Sequence, residues 1–137
     1  MNESTSHDNS LEVQSLSASM TVKDVEKSAE WYSKSLGFAV ADRREREGKV
    51  FAIALTAGAV RILLNQDDGA KGFDRVKGQG ISLYLTIHQD IDALAARAQA
   101  NGVTLLVGPA DMPWGVRMIS LHDPDGFKLV FAKPLST

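Results

Sequence analysis

Residues 15–22 alternate between hydroxyl and apolar side chains, with Leu16, Ala18, Met20 and Val22 on one face and Ser15, Ser17, Ser19 and Thr21 on the other. A period of two predicts a half-buried strand over residues 14–22. Asp24 then stands as a helix cap before Val25, Ser28, Ala29, Tyr32 and Leu36, which recur at helical spacing until Gly37, so a helix is predicted over 25–36. Residues 38–43 read as a second strand, and the charged run 43–49 as a solvated hairpin tip. Two apolar runs, 50–55 and 60–64, flank Thr56-Ala57-Gly58-Ala59 and read as a hairpin.

The same order then returns. Leu83, Leu85 and Ile87 alternate against Ser82, Tyr84 and Thr86, and Asp90 precedes a helical face of Ile91, Leu94, Ala95 and Ala98 ended by Gly102. Residues 103–107 read as a strand and 108–115, with Pro109 and Pro113, as a loop. A second hairpin follows, formed by runs 116–121 and 127–131 around His122-Asp123-Pro124-Asp125-Gly126, where proline, glycine and two aspartates give strong turn chemistry. Thr21 to Gly37 and Thr86 to Gly102 have equal spacing, and the second hairpin begins at Val116 as the first does at Val50. The chain is therefore a duplication, an α+β protein of two βαβββ modules. The expected division is a disordered polar tail at 1–12, a first module at 13–66, a linker at 67–79 and a second module at 80–134. A four-stranded sheet with one helix leaves its other face bare, so the two modules are expected to join their concave faces around a shared cleft.

Composition narrows the partners. With 137 residues, 44% hydrophobic, the chain can fill one core. No run approaches the roughly 18 apolar residues of a membrane span, and the start lacks a basic, apolar signal. The absence of cysteine excludes disulfides and thiolate sites and suits a cytoplasmic setting. A formal charge of −2 with dispersed signs offers no footprint for nucleic acid or an anionic membrane. A small molecule or another copy of the chain is the expected partner.

Val22-x-Asp24 with Ser28, Tyr32 and Leu36-Gly37-Phe38, then Asn101-Gly102-Val103, then Pro113-Trp114-Gly115-x-Arg117 followed by Asp123-Pro124-Asp125-Gly126, together resemble the glyoxalase/bleomycin-resistance/dioxygenase superfamily, also called vicinal oxygen chelate. The stretch before the aspartate-proline turn most resembles the bleomycin-resistance-like branch. This resemblance covers residues 13–133 and implies a homodimer. In metal-using relatives, histidine and glutamate from four strands hold one cation. The resemblance places those positions here on Ser17, Leu63, Ser82 and Val130, which make a poor set of ligands for a divalent transition metal. Of the three histidines, His7 lies in the tail, His88 at a strand end and His122 at the aspartate-proline turn. No nucleophile elbow is present, and Gly69-Ala70-Lys71-Gly72 lacks the spacing of a phosphate loop.

The remaining candidates for the cleft are Ser17, Ser19, Thr21, Ser82, Tyr84, Thr86 and Val130, with Trp114 as a stacking lid and Arg117 as a cation for an anionic or aromatic group. The hydroxyls would equally fill a small wet cavity, and Trp114 would equally anchor a loop. Trp31 and Tyr32 read as core or interface aromatics. Two functions follow from the resemblance: a metal-free protein without cofactor that sequesters a hydrophobic or aromatic compound, or a lyase, isomerase or dioxygenase using displaced ligands or an acid/base pair.

Overall fold

The computed structural model describes residues 9–135. Their order is β1 (Ala18–Val22), α1 (Val25–Trp31) continued by a π-helical turn (Tyr32–Leu36), β2 (Ala39–Arg46), β3 (Lys49–Ala57), β4 (Val60–Gln66), β5 (Ser82–Thr86), α2 (Ile91–Ala100), β6 (Val107–Asp111), β7 (Val116–His122) and β8 (Lys128–Pro134). Two four-stranded sheets result, with orders β1-β4-β3-β2 and β5-β8-β7-β6. In each, the first strand pairs parallel to the last and the others are antiparallel. The βαβββ module is thus realised twice in one topology, giving the two-module α+β fold.

Both helices start as their sequences dictate. The Asp24 carboxylate accepts from the Lys27 N–H, and that of Asp90 from the Asp92 and Ala93 N–H groups, occupying donors the first turn leaves unpaired. Gly37 closes the first helical segment at φ 90°, which a side chain would resist.

Three stretches differ from the expected pattern. β1 begins at Ala18, because its ladder with β4 starts at the Ala18–Ile62 pair; residues 14–17 have no partner strand, and Leu16 is 91% exposed. β2 runs to Arg46, so most of the charged stretch is strand paired with β3 and only Glu47-Gly48 turns. β6 occupies 107–111, where a proline-containing loop was expected, while 103–106 is irregular. The ladder between β6 and β7 accommodates Gly108-Pro109 through a register shift. Gly108 lies so close to the Met118 carbonyl that any Cβ would collide with it.

One apolar core serves both modules. Met20, Val22, Tyr32, Ile53, Leu55, Ile62 and Leu64 from the first belong to the same buried cluster as Leu85, Ile91, Ile119, Leu121, Leu129 and Phe131 from the second. All of these strand residues stand on the helix-covered sides of their sheets. Within one chain the modules therefore meet by their helix sides, which leaves the other face of each sheet open. Arg97 of α2 reinforces this, donating from Nε to Lys34 O and from Nη2 to Ser33 O, both 3.0 Å, in the π-helical turn.

The aspartate-proline turn of the second module is bonded into the first. Tyr32 Oη donates to Asp123 Oδ2 at 2.6 Å, and Asp123 Oδ1 accepts from the Asp125 and Phe127 N–H groups. Asp125 in turn accepts from the Lys23 N–H at 2.8 Å and the Ser28 hydroxyl at 3.3 Å. Burial raises the Tyr32 pKa, and the Asp123 charge adds to it. Burial also raises that of Asp123, against the lowering effect of the phenol and the two N–H groups. Replacing Tyr32 by Phe removes a donor from a buried carboxylate and is expected to destabilise the fold by roughly 1–3 kcal/mol in urea unfolding. A folded pKa above the unfolded one means that Asp123 loses its proton at a greater cost in the native state. Its contribution to stability therefore falls as pH rises from the ordinary carboxylate range through the raised value, and Asp123→Asn is expected to lack that part of the pH dependence.

Candidate functional site

With the helix sides merged, both remaining sheet faces are open. On the first, Ser19 and Thr21 stand beside Leu63 and Asn65 of β4, with Ala54 and Ala52 of β3 opposite. Asn65 Nδ2 donates to Ser19 Oγ at 2.8 Å, so part of the hydroxyl lining is already bonded. Ser17 is exposed and lies one residue before β1.

The second open face is richer. Parallel pairing sets Ser82 beside Lys128, Tyr84 beside Val130 and Thr86 beside Ala132. Antiparallel pairing adds His122, Ser120 and Met118 in matching positions on β7. Three rows cross this face: Ser82, Lys128 and His122; Tyr84, Val130 and Ser120; Thr86, Ala132 and Met118. Met118, Val130 and Ala132 form a small apolar cluster separate from the main core, with Met112 and Val116 packed on it. Tyr84 remains 56% exposed beside it. Along the first row runs an open groove of about 380 Å³ bordered by Gly78, Gly80, Gly126, Ser82, His122 and Lys128.

Ser82 thus lies on the open side of the second sheet, whereas Ser17, exposed just before β1, belongs to no strand of the first. Arg117 has the opposite strand parity from Met118 and Ser120 and lies on the helix-covered side. Its Nε and Nη2 both reach the Asp92 carboxylate at 2.9 Å, and Nη1 reaches Asp111 at 2.9 Å. Those hydrogen bonds tie α2 to the β6–β7 hairpin, so its cation is matched internally instead of facing the open sheet. Trp114 is 63% exposed in the turn between β6 and β7, past the end of the paired rows.

The family's metal does not fit this donor set. Leu63 and Val130 present hydrocarbon, Ser17 and Ser82 present hydroxyls, and no three His, Cys, Asp or Glu residues among those described converge to hold an ion. His122 makes no such cluster with its neighbours, because Asp123 turns inward to Tyr32 and Asp125 toward the first module. His88 is exposed on the rim of a larger groove of about 750 Å³, where the β3–β4 turn faces β5 and α2. His7 and most of the predicted tail lie outside the described residues.

Sequence reasoning passed over Lys77 and Lys128. Lys77, within the predicted linker, is buried, its Nζ 2.9 Å from Asp67 Oδ2 and 3.7 Å from Asp125 Oδ1. Lys128 shares the strand parity of Val130, which marks it for the same face, but its alignment with Ser82 and His122 depends on strand pairing.

The profile of the Glyoxalase/Bleomycin resistance protein/Dioxygenase superfamily matches residues 14–131, and the chain belongs to that superfamily. Comparison with curated proteins returns no match. Among solved structures, TnmS3, an antibiotic binding protein from Streptomyces sp. CB03234, is 24% identical with a TM-score of 0.67, covering 90% of this chain and 99% of its own. TioX from Micromonospora sp. ML1 is 18% identical at 0.68, covering 88% and 100%. The hypothetical protein SA1046 from S. aureus is 20% identical at 0.70, covering 93% and 98%. These likenesses establish the fold. No helix among the described residues is long and apolar enough to cross a membrane.

Asp92 and Asp67 are both held below the ordinary carboxylate range, Asp92 first by Arg117 and Asp67 first by Lys77 and then by the Gly69 N–H. A lowered native pKa stabilises the fold above the unfolded value and ceases to do so as pH falls through the native one. The stability difference between the parent and Asp92→Asn, measured by urea unfolding at a series of pH values, is therefore expected to shrink on acidification below about pH 4, the ordinary aspartate pKa.

Proposed function

We propose that the chain is a cytoplasmic, metal-free small-molecule-binding protein that sequesters a hydrophobic or aromatic compound, and that its binding cleft forms between the open sheet faces of two copies. The observation that carries this reading is the second open face, where Tyr84, Val130, Ala132 and Met118 make an apolar floor edged by the hydroxyls of Ser82, Thr86 and Ser120. An apolar surface with a few orienting polar groups suits capture of an organic ligand. TnmS3, of the same fold, is an antibiotic binding protein, which supports the reading. The geometry of one chain supports this assembly. Each open face lacks a cover, and β1, β2, β5 and β6 are edge strands, so a second copy supplies both a roof and edge protection.

The second reading, a lyase, isomerase or dioxygenase using a metal, requires a ligand set, and among the described residues no three His, Cys, Asp or Glu side chains converge to form one. Finding stoichiometric zinc, nickel, manganese or iron in the purified protein would favour it. A thermal-shift screen of aromatic and hydrophobic compounds tests binding directly: a ligand at a hundred times its Kd adds about 2.7 kcal/mol of stability. Tyr84→Ala is expected to reduce the shift given by any hit, and Trp31→Phe, on the helix side, to leave it unchanged. Sedimentation at tens of micromolar, an order of magnitude suited to ordinary dimer affinities, is expected to give two chains; a monomer there would remove the assembled cleft.

A further inference from the structure

We infer that the groove along the first row of the second open face is a subsite for an acidic group, a carboxylate, sulfonate or phosphate carried by an otherwise apolar ligand. This deepens the small-molecule reading and rests on it. Ser82, Lys128 and His122 occupy paired positions on three neighbouring strands, β5, β8 and β7, and all three border the groove. Strands lie about 4.8 Å apart, so a hydroxyl and an imidazole flank the ammonium on either side at the distance where an oxyanion could meet more than one of them.

The cation is unmatched among the described residues. Among the described residues no carboxylate lies within 4.0 Å of Lys128, and neither Lys128 nor His122 makes a side-chain hydrogen bond. Acids are close in sequence, yet they are spent elsewhere: Asp123 takes the Tyr32 phenol and two backbone N–H groups, and Asp125 takes Ser28, the Lys23 N–H and the Lys77 ammonium. Folding thus turns both carboxylates of the turn inward and leaves the adjacent basic pair outside. Gly78, Gly80 and Gly126 border the groove without side chains.

A second observation lies one row further in. Ser120 is 1% exposed, and its Oγ has no hydrogen-bond partner among the described residues, on the face that carries Val130 and Tyr84. A buried hydroxyl without a partner costs free energy unless something supplies one. The face therefore grades from basic and polar at the row of Lys128 to apolar at Ala132 and Met118, the order in which a planar aromatic acid would lie across it, acid group at the groove and rings over Val130.

Three naphthalene probes of one shape separate the terms: 2-naphthoate, 2-naphthylmethanol and 2-naphthylmethylammonium, titrated calorimetrically into the full chain. The carboxylate is expected to bind about tenfold or more tightly than the alcohol, and the ammonium most weakly. Lys128→Gln is expected to abolish that preference while leaving the affinity for the alcohol unchanged, and His122→Gln to reduce it. Lys49→Gln, which removes the same charge at the distant β2–β3 hairpin, is expected to preserve it. Equal binding of carboxylate and alcohol by the parent, or an equal loss in Lys49→Gln and Lys128→Gln, overturns the acid subsite and leaves the binding reading standing. No binding of any of the three at millimolar concentration overturns both.

Discussion

The hydrogen bond from the Tyr32 phenol to the Asp123 carboxylate joins the two halves of this protein at a point where neither partner meets water. An apolar core alone allows two sheet-and-helix layers to slide, since the hydrophobic effect has no direction. A buried phenol and a buried carboxylate do not allow it, because each left alone would carry the full penalty of desolvation. Tyr32 opens the π-helical turn whose carbonyls also receive Arg97, so this irregular segment is where the second module grips the first. The Asp-Pro-Asp-Gly turn thus works as a connector as well as a hairpin loop. Lys77 extends the junction into the linker: its ammonium sits among Asp67 and Asp125 as an ion-paired, buried charge, which pins the passage between modules.

This docking decides what remains available for function. Because the modules spend their helix sides on each other, both hydroxyl-bearing sheet faces turn outward, away from the shared core. The same junction draws Asp123 and Asp125 inward and leaves His122 and Lys128 on the open face. Residues that hold the modules together thus also determine which charged groups are presented next to the apolar cluster of Met118, Val130 and Ala132. Arg117 illustrates the reverse, a cation whose strand parity places it on the helix side, where Asp92 and Asp111 match it and it braces α2.

Much of the architecture was legible from local pattern. Alternation in residues 15–22 and 81–87, the caps at Asp24 and Asp90 and the glycine stops at Gly37 and Gly102 are short-range signals, and the duplicated spacing revealed two modules. Errors fell where a strand depends on its neighbour. Residues 14–17 alternate well yet have no partner, and β6 was misplaced because its pairing with β7 tolerates Gly108-Pro109 through a register shift that no local preference announces.

The candidate site divides along the same line. Parity along a single strand is a property of the chain, so the sequence by itself determined that Ser19 and Thr21 oppose Met20 and Val22, and that Ser82, Tyr84 and Thr86 oppose Leu83 and Leu85. The family resemblance also points to Ser17, Leu63, Ser82 and Val130 as the positions where metal-using relatives would hold their cation. Only the tertiary structure decided that Ser82, Lys128 and His122 form one row, that Arg117 meets Asp92 and Asp111, that Lys77 is buried, and that the modules meet by their helices. Each of these depends on register between strands distant in sequence or on which faces of two modules pack, and such long-range choices are settled by the summed burial and hydrogen bonding of the whole fold.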